Sequence, residues 1–147
     1  MITNLLLSLV ILGTTGQTPS EELKKDKEML QGRWQFVFVE DASGVSDEAK
    51  RNLDKIFWVF KQDITYWEAG NDGSHVEMRF SLHNMSGRKC IDLTAVDAPY
   101  AKLGIYQLDG DNLKICICRN PDKPRPTEFT LKAGSENLVV SMKRAKN

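Results

Sequence analysis

The stretch Val76-Glu77-Met78-Arg79-Phe80-Ser81-Leu82-His83 alternates apolar and polar residues without a break. Successive side chains of a β-strand point to opposite faces. Val76, Met78, Phe80 and Leu82 therefore share one face while Glu77, Arg79, Ser81 and His83 share the other, the pattern of a half-buried strand. Upstream, Trp34, Phe36 and Phe38 fall on one face of a first strand. Ile56, Trp58 and Phe60 fall on one face of a second, continued past Gln62-Asp63 by Ile64 and Tyr66. Downstream, Ile91 and Leu93 are flanked by Cys90 and Asp92, and Tyr106 and Leu108 lead into Asp109-Gly110-Asp111-Asn112, a hairpin turn. Leu113, Ile115 and Ile117 then alternate with Lys114, Cys116 and Cys118. Phe129 and Leu131 precede a last strand in which Leu138, Val140 and Met142 alternate with Val139, Ser141 and Lys143. Short links between such segments predict an all-β chain, an antiparallel up-and-down meander of about 8–9 strands. Closing that meander into a small lipocalin-like barrel removes the two edges it would otherwise expose.

Two segments break the period. Residues 17–30 are polar and helix-prone, with Ser20 as cap, Glu21 and Glu22 in the first turn, Leu23, Lys27 and Leu30 at helical spacing, and Gly32 as terminator. A second, short helix is expected over Ser46 to Lys55, after the first strand. Ser46 would cap it, and Ala49, Leu53 and Ile56 would form one stripe covering a barrel end. Residues 31–144 make up the barrel domain. At 147 residues the chain is long enough to bury a core without covalent staples.

Residues 1–16 are of another kind. Leu5 to Leu12 is an apolar run too short to span a bilayer, and Gly13, Thr14, Thr15 and Gly16 follow it. This is the layout of a secretory signal peptide cleaved near Gly16-Gln17, although no Lys or Arg precedes the run. No cysteine follows to accept a lipid. The expected mature protein is a monomer without a membrane anchor, secreted or held in the periplasm or cell envelope. Twenty basic residues balance twenty acidic ones, which excludes nucleic acid as a partner because phosphate binding needs a surplus of cations.

An ordered set of short motifs carries a resemblance. Leu30-Gln31-Gly32-Arg33-Trp34, Trp58-Val59-Phe60-Lys61, Ile91-Asp92-Leu93-Thr94, Gly104 to Asp111 with Leu113 to Cys116, and Arg125 to Phe129 together resemble the paralogous lipocalin-like domain family of planctomycete bacteria, over about residues 30–144. The resemblance implies a secreted barrel. It carries over no catalytic residue, since the family has no established activity. Cys90 and Cys118 depart from its pattern, where small residues such as alanine are expected. In barrels of the lipocalin kind a tryptophan after a glycine closes one end under a basic side chain of the final strand. The resemblance thus assigns Gly32, Trp34 and Arg144, or its neighbour Lys143, to a structural plug.

Reactive residues are few. Cys116 and Cys118 project from one face of a strand with α-carbons about 6.5–7 Å apart, at the limit of a bridge, and Cys90 is separated from them by the Tyr106 strand. Three free thiols follow, with a bridge from Cys90 or a redox role as alternatives. His75 and His83, about 26 Å apart along one strand, cannot share a metal. The Asp109–Asn112 turn lacks the rest of a calcium loop. Pro121, Pro124 and Pro126 stiffen the segment that holds Arg125 and Glu128. No catalytic constellation, cofactor motif or metal-ligand cluster is visible, so no enzyme is expected. Two functions remain open. In one, the barrel binds a small apolar or amphipathic molecule, lined by Phe36, Phe38, Trp58, Phe60, Tyr66, Met78, Phe80 and Tyr106. In the other, those side chains fill a solid core and the outside binds an envelope protein or a glycan.

Overall fold

The computed structural model describes residues 16–44, 47–69 and 75–146. The expected signal segment, apart from Gly16, and the expected Ser46 cap lie outside the described residues. A helix α1 (Pro19–Leu30) leads into β1 (Gly32–Asp41). A short helix α2 (Asp47–Arg51) and a 3-10 turn (Leu53–Lys55) follow. The remaining strands are β2 (Ile56–Lys61), β3 (Ile64–Ala69), β4 (Met78–Met85), β5 (Arg88–Ala95), β6 (Ala101–Asp109), β7 (Asn112–Cys118) and β8 (Asn137–Arg144). Each strand pairs with the next in antiparallel fashion and β8 pairs with β1, so eight strands close a meander barrel.

The start of α1 differs from the expected cap at Ser20. Thr18 is the cap: its Oγ1 accepts from the Glu21 backbone N–H at 3.3 Å while the Glu21 carboxylate accepts from the Thr18 N–H at 3.0 Å. Pro19 then occupies a first-turn position, where its missing N–H is harmless. The second helical patch is broken into α2 and the 3-10 turn; of its stripe, Leu53 is buried in the core and Ile56 packs against it.

Three departures in strand parity have simple causes. Phe36 pairs with Met142 but Phe38 pairs with Ser141, so Val37 is an extra residue. That bulge turns Phe38 outward, 49% exposed, and passes the inward position to Val39, opposite buried Val140. Next, β2 and β3 are two strands joined by the two-residue turn Gln62-Asp63, pairing Phe60 with Thr65 and Trp58 with Trp67. Opposed residues share a face, so Thr65 and Trp67 point inward and Tyr66, opposite Val59, points outward. Finally, β4 begins at Met78, and Val76 lies before it, 73% exposed. The rest of the inward stripe holds Phe80, Leu82, Ile91, Leu93, Tyr106, Leu113, Ile115, Ile117, Leu138 and Met142 in one core.

A second, smaller core lies on the outside of the barrel. Cys90, Ile105, Cys116 and Val139 point outward yet are buried, because segment 119–136 crosses over them and brings Phe129 and Leu131 against them. Arg125 pins this strap: its Nη1 donates to the carbonyls of Gly104 (2.9 Å) and Ile91 (3.2 Å) and lies 2.7 Å from the Asp92 carboxylate. Gly104 is required here. A Cβ on it would stand 2.7 Å from the Cys116 carbonyl oxygen and 2.8 Å from Ile117.

Candidate functional site

The two barrel ends are built differently. At one end the links are the two-residue turns Gln62-Asp63, Ser86-Gly87 and Gly110-Asp111. Ser86 and Gly87 both have positive φ (53° and 78°), the primed geometry whose twist matches paired strands. Helix α1 closes this end. Trp34, fully buried, donates its indole N–H to the Leu30 carbonyl at 2.8 Å. The Arg144 guanidinium lies 4.3 Å from the Trp34 ring centre and donates to the carbonyls of Met29 (2.6 Å) and Gln31 (3.1 Å), pairing also with Asp111. Those carbonyls at the helix C-terminus have no partner within the helix, and a cation is the favoured one. Gly32, at φ 117°, makes the sharp step from helix to strand beneath Arg144.

The same end holds a polar group of four around the buried Asp26 and Tyr106. Tyr106 donates its hydroxyl to Asp26 at 2.7 Å, and Lys89 lies 2.7 Å from Asp26 and 2.9 Å from Glu22. Burial, then the Asp26 carboxylate, pushes the Tyr106 phenol well above its ordinary range. Burial opposes the charge on Lys89, but the hydrogen bonds and charges of Asp26 and Glu22 outweigh it and hold its pKa above the usual value. Asp26 is thereby paired twice, which a buried carboxylate needs.

At the other end the links are long: 42–55, 70–77, 96–100 and 119–136. Strand β4 meets β3 only at Ile64↔Arg79 and Thr65↔Met78, so Tyr66 to Ala69 have no partner in β4. Among the described residues the barrel is open here. A cavity of about 660 Å³ is walled by Trp58, Trp67, Met78, Ile117 and Leu138, with His75, Val76, Lys102 and Arg119 at its rim. That size falls in the range of small-molecule sites, roughly 300–1,000 Å³. Its floor is the aromatic stack of the core: Trp58 lies 5.8 Å from Phe60 and 5.3 Å from Trp67, and Phe36 lies 5.3 Å from Trp67. Thr65 fixes Trp58, accepting from its indole N–H at 2.6 Å and donating to the Val59 carbonyl at 2.7 Å. Val96 and Tyr100, on the 96–100 loop of this end, are exposed, as is Val76.

Polar groups at the mouth are unequally satisfied. Arg119 pairs with Asp41 at 3.4 Å. His75 lies 3.4 Å from Glu77 and stacks on Tyr66. Lys102 has no ion pair among the described residues, although its register opposite Leu93 on β5 turns it toward the interior. The Trp67 indole N–H is buried and donates to nothing.

Of the eight side chains expected to line the interior, Trp58 and Met78 wall the cavity. Phe36, Phe60, Phe80 and Tyr106 are inward and packed in the core. Phe38 and Tyr66 face outward, for the parity reasons given above. Trp67, Ile117 and Leu138 complete the wall, and Lys102 was not singled out by sequence reasoning. Its signal was the inward stripe Lys102-Gly104-Tyr106-Leu108, readable by counting back from Tyr106. All three cysteines are free and buried. Burial, with Cys118 nearby, pushes the Cys116 thiol up to about 11. Among the described residues no three His, Cys, Asp or Glu side chains converge as metal ligands, and no helix is long and apolar enough to cross a membrane.

These features define a class: a closed eight-stranded antiparallel barrel with one helix-plugged end and one open, aromatic-walled end. Comparison with protein-family models, with curated proteins and with solved structures finds no match.

Proposed function

We propose that the protein is an exported, monomeric binding protein that holds a small apolar or amphipathic molecule in the open end of its barrel, and that it is not an enzyme. The observation that carries this reading is the cavity of about 660 Å³ between Trp58, Trp67, Met78, Ile117 and Leu138. Apolar walls with few polar groups are the composition of a ligand pocket. A solid-core barrel with an outward interaction surface needs an interior without such space, and the cavity argues against it. The resemblance to the lipocalin-like planctomycete family supports the secreted-barrel part of this reading.

The test is a titration of the full chain with N-phenyl-1-naphthylamine, a neutral apolar dye that brightens when it leaves water. Saturable binding is expected, with energy transfer from the tryptophans. Leu138→Trp, which fills the cavity, should abolish it while leaving the melting transition intact. Unsaturable dye uptake, or a Leu138→Trp variant that binds as wild type does, refutes a site in the barrel.

A further inference from the structure

We infer that the molecule held in the barrel is a single-chain amphiphile with a carboxylate head, of the fatty-acid class, and that Lys102 binds the head. The inference rests on the ligand-binding reading above and goes one step further.

The argument starts from the register. On β5 and β6, Ile91 pairs with Gly104 and Leu93 pairs with Lys102. Ile91 and Leu93 are core residues, 0% and 1% exposed, so Lys102 stands on the inward face of β6. The side chain is half-buried at the rim of the cavity, where an ammonium gains from an anion that meets it. The described residues supply none: Lys102 makes no ion pair among them, and the Asp41 carboxylate pairs with Arg119. Two positions along the same face from the pair Gly104↔Ile117 the register sets Lys102 opposite Arg119, which pairs with Asp41. Like charges on adjacent strands repel, and an incoming anion relieves both the repulsion and the unpaired charge.

The number and kind of donors restrict the head group. One unpaired ammonium is a compact point charge, without the fork that a guanidinium offers to a phosphate. It matches one negative charge. The chain of the ligand then lies along Trp58, Met78, Ile117 and Leu138. The exposed Val76, Val96 and Tyr100 give it an apolar entrance.

The test uses the full chain and two probes of equal chain length, dodecanoate and dodecanol, kept below micelle-forming concentrations at neutral pH. Quenching of tryptophan fluorescence reports binding, since Trp58 and Trp67 line the cavity. Dodecanoate should bind about tenfold tighter than dodecanol, the factor expected of one half-buried charge-assisted hydrogen bond. Lys102→Met should remove that preference, so that dodecanoate binds no tighter than dodecanol. Equal binding of the two probes to the wild type, or undiminished preference in Lys102→Met, overturns the head-group assignment while the ligand-binding reading stands. Failure of both probes to bind the wild type overturns the two together.

Discussion

The two ends of the barrel share the same eight strands and spend their residues in opposite ways. At the plugged end the turns are two residues long, Trp34 is fully buried, and Arg144, Tyr106, Lys89 and Asp26 each meet a partner. At the open end the links are long, Val76, Val96 and Tyr100 stand exposed, and Lys102 and the Trp67 N–H lack partners. Groups left unsatisfied where satisfaction is easy mark a surface shaped for something other than folding. Stability therefore concentrates at the plugged end, and the proposed function puts binding at the other, as when a rigid scaffold carries a functional mouth.

The largest expected effect separates the ends directly. Trp34→Ala should lower stability by about 3–5 kcal/mol, the range for truncating a buried large aromatic. Trp67→Ala, at a half-buried wall position, should lose about half as much. Urea unfolding of both variants gives the comparison. Equal losses would mean that the open end is packed as tightly as the plug.

A second probe strikes the polar group of the plugged end. Asp26→Ala leaves the Tyr106 hydroxyl buried without its acceptor and Lys89 with Glu22 alone. The expected loss is about 2–3 kcal/mol, most of it the desolvation of an unpaired group. A loss below about 1 kcal/mol would show that water replaces Asp26, and the end would not be sealed.

How far these ends were legible in the sequence depends on what each signal measures. Period-two alternation states which residues share a face, and it identified the meander, its closure and most of the core, from Trp34 to Met142. It fails where parity resets. Phe38 was placed inside because nothing in Gln35-Phe36-Val37-Phe38 announces the extra residue at Val37; the bulge exists only in the pairing with Ser141 and Met142. Tyr66 was placed inside by running one count through Gln62-Asp63, whereas the turn there pairs residues whose numbers differ in parity. The cavity itself was out of reach. Whether large aromatics line a space or fill it depends on strand stagger and on where β4 leaves β3, and neither is local. The burial of Cys90 and Cys116 on the outer face likewise arises from Phe129 and Leu131, which only the path of the strap brings back over them.

That strap makes a pH-dependent prediction. The folded protein holds the Cys116 proton up to about pH 11, against an ordinary value of 9.0. A pKa raised on folding stabilises the protein below the unfolded value and is lost as pH rises through the folded one. Between pH 9 and 11 the unfolded thiol ionises first, so wild type should lose about 2 kcal/mol relative to Cys116→Ala across that window. Tyr106 and Lys89 are also shifted upward and add to alkaline loss in both proteins, so the difference between the two isolates the thiol. The check is urea unfolding of both at pH 8 and pH 11. A difference that does not change with pH would place the thiol in contact with water and the strap off the barrel.

The smallest effect is the sharpest test of the division between ends. Lys102 turns toward the interior, half-buried and without an ion pair among the described residues. Methionine has nearly the same length and no charge, and it fits a wall already made of Trp58, Met78 and Ile117. Lys102→Met should therefore raise the stability of the ligand-free protein by about 0.5–1 kcal/mol, whereas Lys89→Met at the plugged end, which strips Asp26 of a partner, should lower it. Opposite signs for the same substitution at the two ends are the outcome expected if one lysine is kept for folding and the other for a ligand. Should Lys102→Met destabilise the protein as Lys89→Met does, Lys102 has a structural partner at the mouth, and the open end is a second plug.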